Sequence, residues 1–274
     1  MMAQSRDHSA DVVAGIQARM GSTRLPGKSL ADLAGMPMIR RVYERACASA
    51  QVDLVIVLTT VEPVDDALAE YCENNGIPCR RGPEQDVFAR YETLMDETDP
   101  TYVVRITGDC PFICPQHIDA QVEALRAHDA DFAPAGNTEH VFAGQAVIST
   151  RALRAAGRST DPADREHVGS FYLAQHAEDF QSVPMVTAAF PGSDSLRLCV
   201  DEPTDLQAAR SVYEALAPTW GSLIPIGEVV RYLLADEEVL RFASAATHSD
   251  ANRRLASLKA EARTSRTSRS ETGA

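Results

Sequence analysis

The sequence predicts an α/β fold with a mostly parallel central sheet and helices on both faces. In the first half of the chain, short apolar runs alternate with helical patterns, as is typical of parallel strands joined by helices. Residues 52–59 (VDLVIVLT) are almost all apolar, as expected of a strand buried on both faces. For the 274 residues we predict a flexible tail over 1–10, one domain over 11–245, and a C-terminal extension over 246–274 that is largely disordered at its end.

The individual elements follow in order from this alternation. Strands are expected at 12–16, 52–59, 77–80 and 102–106, and helices at 37–50, 64–75, 84–98 and 115–128. Pro37 suits the first turn of its helix, and Gly76 suits the end of the next one. Further along, the pattern predicts helices at 162–176, 203–216 and 229–240, strands at 180–187 and 196–200, and two further candidate strands at 130–133 and 145–148.

Composition narrows the class of protein. The net charge of −13 argues against a broad nucleic-acid-binding surface, which needs a basic stripe. No apolar run approaches the roughly 20 residues of a membrane span, and residues 1–10 lack the apolar core of a secretory signal. We therefore predict a cytoplasmic protein that binds neither nucleic acid nor membranes. The six cysteines are scattered, and we expect reduced, mostly buried thiols.

Residues 18–28 (ARMGSTRLPGK) form a basic string directly after the first predicted strand. Arg19 and Arg24 could each grip phosphate oxygens with two parallel hydrogen bonds, while Lys28 brings a movable point charge. The glycines of the string would let backbone N–H groups approach an anion. Because ligands of open α/β sheets bind beyond the carboxyl ends of the strands, the string predicts a polyphosphate site. The alternative is a surface loop with solvated charges.

Two acidic residues follow later predicted strands. Asp109 lies in VVRITGDCP, and Asp201 lies in VDEPTDL just before a predicted helix. Mg²⁺ prefers one or two carboxylates together with substrate phosphates and water. We therefore predict that the pair holds Mg²⁺ beside the phosphates. The alternative for each is a turn or helix-capping aspartate.

Five sequence strings occur in one order and together carry a family resemblance. They are ARMGSTRLPGK, RRGPEQDVFARY at 80–91, VVRITGDCP at 103–111, REHV at 165–168 and VDEPTDL at 200–206. The chain resembles the cytidylyltransferase family that includes the spore-coat polysaccharide biosynthesis proteins and is related to the CMP-sialic acid and CMP-Kdo synthetases. The resemblance spans about residues 12–216. It implies a Rossmann-like nucleotidyltransferase (nucleotide-diphospho-sugar transferase) fold, CTP as co-substrate and Mg²⁺ as cofactor.

The resemblance also implies roles for individual residues. The nucleotide-binding residues would be Ala18, Arg19, Gly21, Ser22, Arg24 and Lys28 around the triphosphate, Thr59 or Thr60, Gly82 and Asp86 near the base and ribose, and Thr107. Lys28, Arg19 and Asp109 would be catalytic, and Asp109 and Asp201 would hold the metal. The cationic side chains would offset charge that builds up on the leaving pyrophosphate.

The acceptor side departs from the family pattern. In residues 137–147 (NTEHVFAGQAV), a loop that relatives fill with arginine and glycine looks shortened, and the acidic positions of the following strand are missing. We name His140, Gln145, Glu166 and His167 as candidate acceptor-binding residues. The predicted reaction transfers CMP from CTP to a sugar acid, a sugar phosphate or a small phosphorylated metabolite and releases pyrophosphate. It would serve the synthesis of surface polysaccharide or glycoconjugate precursors.

Two other functions stay open from the sequence. A glycosyltransferase of the same fold would use a nucleotide-sugar donor, but the Asp-x-Asp metal pair common in such enzymes is missing because Pro111 stands two residues after Asp109. A non-catalytic nucleotide-binding protein would have no need to keep Lys28, Asp109 and Asp201. A homodimer is compatible with the resemblance.

Overall fold

The centre of the fold is a five-stranded sheet. The computed structural model describes residues 10–133, 140–183, 190, 193, 196 and 198–236. The strands are β1 (Val12–Gln17), β2 (Leu54–Thr60), β3 (Cys79–Gly82), β4 (Tyr102–Thr107) and β5 (Gln145–Ser149). Their order is β3-β2-β1-β4-β5, with β5 antiparallel to β4 and all other pairs parallel. The predicted mostly parallel sheet is thus confirmed.

Helices cover both faces of this sheet. They are α1 (Met38–Cys47), α2 (Asp66–Asn74), α3 (Val87–Thr98), α4 (Pro115–His128), α5 (Thr150–Ala156), α6 (Pro162–Glu166), α7 (Ser170–Gln175), α8 (Pro203–Trp220) and α9 (Ile226–Ala235). One face packs against α1, α2 and α4, and the other packs against α3, α5 and α7. Helices α8 and α9 add a third cluster beside them. None of the helices in the described ranges is both long and apolar enough to cross a membrane.

Alternating side chains on β1 contribute to two separate cores. Val12 and Ala14 belong to the core under α1, α2 and α4, whereas Val13 belongs to the core under α3. Successive strand residues point to opposite faces, so a strand covered on both faces must be apolar throughout. A Cβ at Gly15 would lie 2.6 Å from the Tyr91 ring. Glycine at this position therefore lets α3 approach the sheet closely.

The helical pattern at 162–176 is broken in the structure into α6 and α7. Val168 and Gly169 between them adopt left-handed backbone conformations, with φ of 53° and 73°, which end the helical run. Helix α8 continues past its predicted end at 216 to Trp220, with Pro218 inside its last turn. Local pattern therefore identified these helices but misplaced their ends.

The chain after β4 contains fewer strands than expected among the described residues. Phe132, from the candidate strand at 130–133, forms only isolated bridges with Ile148 and Ser182. The described parts of 180–187 and 196–200 contain no regular strand. Outside the described residues lie 1–9 of the predicted tail, 184–187 and 197 of two predicted strands, 237–240 of the last predicted helix, 241–245 of the predicted domain, and the extension over 246–274.

Candidate active site

The sheet order creates a crevice between the carboxyl ends of β1 and β4. In the sheet, β2 and β3 lie on one side of β1, whereas β4 lies on its other side. Ligands of open α/β sheets bind at such a switch point. Gly108 N donates to Gln17 O at 2.8 Å, and a Cβ at Gly108 would lie 2.8 Å from the Ala18 Cβ. Glycine after β4 thus lets the basic string meet the segment that carries Asp109.

Lys28 connects the basic string to both predicted metal ligands. Its Nζ donates to Asp109 Oδ2 at 2.7 Å, to Asp201 Oδ1 at 2.9 Å and to Val200 O at 2.9 Å. Three acceptors use the three protons of the ammonium group. The side chains of Lys28, Asp109 and Asp201 are 12%, 25% and 19% exposed. Two carboxylates therefore share one cationic centre in a largely sheltered site.

Asp109 is ionised at neutral pH in this setting. Burial works to raise its pKa, but the charge of Lys28 and hydrogen bonds from Lys28 and Thr107 outweigh burial. The pKa of Asp109 consequently lies below its ordinary value of 3.8. With Arg24 and Glu202, which also contact this cluster, three carboxylates face two cations, so the cluster keeps a negative charge that favours a further cation.

The two arginines of the string also contact carboxylates. Arg24 pairs with Asp201 at 3.1 Å and with Glu202 at 3.6 Å, and Arg19 pairs with Glu84 at 2.9 Å. About half of each arginine side chain is exposed. Exposed ion pairs are weak and exchange readily for a bidentate phosphate contact. All three cations of the string are therefore within reach of a ligand in the crevice.

Six backbone N–H groups of the string donate to acceptors within the protein. The donors with partners inside the protein are those of Ala18, Met20, Ser22, Leu25, Gly27 and Lys28. For example, Met20 N donates to Asp65 Oδ1 at 2.5 Å, and Leu25 N donates to Ser22 Oγ at 3.2 Å. These six amides shape the loop, and the approach of the Gly21 backbone to an anion stays a prediction.

Comparison with known proteins identifies the family. Residues 13–229 match the sequence profile of the family described as cytidylyltransferase. This chain belongs to the cytidylyltransferase family. The resemblance drawn from the five strings, and with it the prediction of a cytidylyltransferase, is confirmed.

Individual relatives of this cytidylyltransferase match more than half of its length. The spore coat polysaccharide biosynthesis protein SpsF of Bacillus subtilis is 27% identical over 213 residues, which cover 74% of this chain and 87% of SpsF. A 3-deoxy-manno-octulosonate cytidylyltransferase of Chromohalobacter salexigens is 36% identical over 168 residues, covering 58% of this chain and 65% of that protein. The solved structure of a cytidylyltransferase from Leptospira borgpetersenii superposes with a TM-score of 0.75 at 24% identity, covering 87% of this chain and 99% of that chain. This last likeness confirms the predicted fold.

Residues predicted near the base and ribose are largely enclosed within the cytidylyltransferase. Thr59 and Thr60, at the end of β2, have no exposed surface, and Thr60 Oγ1 donates to Asp65. At Gly82, a Cβ would lie 2.7 Å from the Arg90 side chain. Thr60 therefore supports the adjoining loop, whereas the Thr59 hydroxyl is buried without a hydrogen-bond partner among the described residues, and the predicted nucleotide contact of the two threonines stays a prediction.

Asp86 ties two helices of the cytidylyltransferase together. Its Oδ1 accepts from Ala89 N at 2.9 Å and caps α3, while Arg165 Nε donates to the same oxygen at 2.8 Å. Arg165 also pairs with Glu92 at 2.8 Å. Through these contacts α6 is held beside the start of α3. The contacts of Asp86 indicate a structural role, and its predicted nucleotide contact stays a prediction.

A disulfide next to the catalytic candidates corrects the expectation about cysteines. Cys110, directly after Asp109, is bonded to Cys199, whereas the other four cysteines are free. Thr107 N donates to Gly144 O at 2.9 Å, and Thr107 Oγ1 lies 3.2 Å from Cys110 Sγ. The expectation of reduced thiols is wrong for this pair, because two distant segments meet only in the folded chain.

The four acceptor candidates do not form one cluster. Gln145 on β5 is 9% exposed, and its Oε1 accepts from Cys114 N at 2.8 Å on the side of the sheet that α4 covers. Glu166 is exposed at the end of α6 and His167 follows it half-buried, and α6 packs against α3 on the opposite face. The side chain of His140 lies outside the described part of the chain.

Two acidic residues that shape the crevice were not singled out from the sequence. Asp65 is 1% exposed and holds Met20 N, which fixes the start of the basic string. Glu84 pairs with Arg19 and lies within the RRGPEQDVFARY string that carried the resemblance. An acidic residue at the start of a helix is usually a cap or a solvated charge, so only the fold could reveal these two contacts.

Proposed function

We propose that the protein is a Mg²⁺-dependent enzyme that transfers CMP from CTP to a sugar acid, a sugar phosphate or a small phosphorylated metabolite and releases pyrophosphate. The observation that carries this proposal is the Lys28 ammonium held between Asp109 and Asp201 at the carboxyl edge of the sheet. The names of SpsF and of the 3-deoxy-manno-octulosonate cytidylyltransferase support a role in making precursors of surface polysaccharides or glycoconjugates. A cytoplasmic location and a homodimeric assembly stay predictions.

Asp109 and Asp201 fit a magnesium ion. Their carboxylates already converge on one cation, and carboxylate oxygens are ligands that Mg²⁺ prefers. When bound, Mg²⁺ supplies Lewis-acid polarisation of a phosphate oxygen. The flexible stem of Lys28 allows its ammonium group to move from the carboxylates to phosphate oxygens. Lys28 is then a phosphate ligand, and the two aspartates are the metal ligands.

The charges of the crevice explain why a divalent cation is expected together with the nucleotide. Four carboxylates contact the three cationic side chains of the basic string: Asp109, Asp201, Glu202 and Glu84. A triphosphate entering this site would meet more negative than positive charge. A divalent cation that neutralises the two aspartates would free Lys28 and weaken the hold on Arg24, so that both can turn to phosphate oxygens.

The reaction needs positioning and charge stabilisation more than covalent chemistry. An acceptor oxygen attacks the α-phosphorus of CTP, the bond from this phosphorus to the bridging oxygen breaks, and the electron pair leaves on pyrophosphate. Arg19, Arg24 and Lys28 offset the negative charge that grows on the leaving pyrophosphate. A phosphate acceptor needs no base, whereas a hydroxyl acceptor must give up a proton.

The test is pyrophosphate release from CTP and Mg²⁺ with a panel of nonulosonic acids, sugar phosphates and small phosphorylated metabolites. We expect Asp109→Asn and Asp201→Asn each to lower turnover by about 10²–10³-fold while the fold is kept. Glu202→Gln is the matched control, because it removes an equal charge from the same segment. The Glu202 side chain contacts Arg24 and the start of α8 and, within the described part of the chain, does not contact Lys28 directly. The loss of turnover in Glu202→Gln should be much smaller.

Each outcome separates one interpretation from the others. Near wild-type turnover by Asp109→Asn contradicts the metal assignment. CTP binding without pyrophosphate release on any acceptor favours a non-catalytic nucleotide-binding protein. Transfer of a sugar from a nucleotide-sugar donor favours a glycosyltransferase.

A further inference from the structure

The Cys110–Cys199 disulfide joins the two segments that carry the candidate metal ligands. Cys110 directly follows Asp109, and Cys199 lies two residues before Asp201. The bridged residues are 89 positions apart in the chain. The two sulfur atoms and a carboxylate oxygen of Asp109 lie within 4.8 Å of one another. The bond is therefore part of the wall of the candidate metal site.

The other connections between these segments are noncovalent, and those made through Lys28 are exchangeable. Val200 N donates to Asp109 O at 2.7 Å, which is a direct backbone link. Lys28 adds a link by contacting Asp109, Asp201 and Val200 O. That second link is lost whenever the ammonium group moves to a phosphate. The disulfide is then the covalent restraint that holds the Asp109 and Asp201 segments together.

We propose that Cys110 and Cys199 are positioning residues, and that their disulfide makes the affinity of Asp109 and Asp201 for a divalent cation sensitive to the redox state. A dithiol reductant breaks the one S–S bond, supplies two electrons and two protons to form two thiols, and is itself oxidised to a disulfide. The proposal rests on the proposed function in one respect, namely that the two aspartates bind a divalent cation.

The packing around Cys110 determines which side moves after reduction. Cys110 is 2% exposed, its Sγ lies 3.2 Å from Thr107 Oγ1, and a Cβ at Gly144 would lie 2.3 Å from the same sulfur. Two unbonded sulfur atoms cannot stay at bonding distance. Because Cys110 is enclosed, we expect the half-buried Cys199 to move and to disturb the start of the Asp201 segment.

The experiment compares the wild-type protein after oxidation with diamide and after reduction with a dithiol. Thiol titration of the unfolded chain should count four free thiols in the oxidised protein and six in the reduced protein. Mn²⁺ binding to the protein is then followed by electron paramagnetic resonance, and the half-saturating Mg²⁺ concentration is measured from pyrophosphate release at fixed CTP. We expect reduction to lower the affinity for Mn²⁺ and to raise the half-saturating Mg²⁺ concentration, each by on the order of tenfold, as for other groups that orient metal ligands. Reoxidation should restore both values.

Variants separate this bond from general effects of the reductant. Cys199→Ala should behave like the reduced wild type under both conditions, and Cys110→Ser serves as the second variant. Cys47→Ser, which removes an exposed free cysteine on α1, is the control and should respond to the reductant as the wild type does.

Three results would overturn the inference. They are six free thiols after oxidation, a change from four to six thiols with unchanged Mn²⁺ and Mg²⁺ dependence, or no Mn²⁺ binding in either state. Redox-dependent Mn²⁺ binding without pyrophosphate release on any acceptor would support the inference and contradict the proposed function. Pyrophosphate release with the same Mg²⁺ dependence in both redox states would support the proposed function and contradict the inference.

Discussion

Replacing Lys28 by methionine separates the charge of the ammonium group from the packing of its stem. Lys28→Met keeps most of the side-chain volume but leaves Asp109 and Asp201 facing each other without their shared cation. The Lys28 side chain is 12% exposed, so its ion pairs lie between the fully buried and the exposed cases.

Those two cases bracket the expected loss of stability. Removing one partner of a buried ion pair costs about 3–5 kcal/mol, whereas an exposed pair contributes about 0–1 kcal/mol. We expect Lys28→Met to lower the free energy of unfolding by about 2 kcal/mol when no divalent cation is present. Burial of Asp109 remains while the lowering effect of Lys28 is gone, so the pKa of Asp109 should rise.

Divalent cations should affect the variant more than the wild type. Mg²⁺ no longer competes with an ammonium group for the two carboxylates, and a ligand that binds the folded state stabilises it. Mg²⁺ should therefore recover part of the lost stability of Lys28→Met. Turnover should still fall by about 10²–10³-fold, because a cation that stabilises the leaving pyrophosphate is missing.

Urea unfolding with and without Mg²⁺, together with pyrophosphate release, measures these effects. Arg40→Met is the control, because Arg40 pairs with Glu44 on α1 at 2.7 Å with side chains that are 31% and 29% exposed. This control should lose about 0.5 kcal/mol of stability and keep its turnover. The reasoning is refuted if Lys28→Met unfolds at the wild-type urea concentration without Mg²⁺ and also turns over at the wild-type rate.

Three further predictions concern packing, capping and pH. Gly15→Ala would place a Cβ 2.6 Å from the Tyr91 ring, so we expect a loss of about 1–3 kcal/mol in urea unfolding, and a wild-type midpoint would contradict the close packing of α3. Asp86→Ala removes the cap of α3 and a partner of Arg165, so the loss should be about 1–2 kcal/mol, whereas Asp86→Asn, which keeps an acceptor, should lose less. The neighbouring ammonium holds the pKa of Asp109 below 3.8, so this carboxylate adds stability above pH 3.8 and loses it as the pH falls through the lower pKa of the folded state. In Asp109→Asn the free energy of unfolding should accordingly fall less steeply as the pH is lowered below 3.8. An unchanged dependence on pH would count against the ion pair.

The alternation of apolar runs and helical patterns was enough to predict the four parallel strands and most of the helices. Each of these elements has a signal in consecutive residues, such as the apolar run that becomes β2 or the capping residue of α3. The pattern failed where a single backbone conformation decided the outcome, as at Val168 and Gly169 between α6 and α7.

The candidate site was only partly visible in the sequence. The basic string and the acidic residues at two strand ends could be found because each has a local signature and a known place at the carboxyl edge of a sheet. Their mutual geometry could not, because Lys28 and Asp201 are separated by 173 residues and meet only when β4 pairs with β1. The pairing of β1 with β2 brings Asp65 under the string, and the hydrogen bond from Val200 to Asp109 places Cys199 against Cys110.

The chain by itself therefore determined the kind of chemistry, since charge and spacing at strand ends are written in consecutive residues. The tertiary structure alone decided which charges share a partner, which amides are already used, and which cysteines are bonded. The physical reason is that periodicity is a short-range property, whereas a contact across the crevice depends on the order of all strands in the sheet.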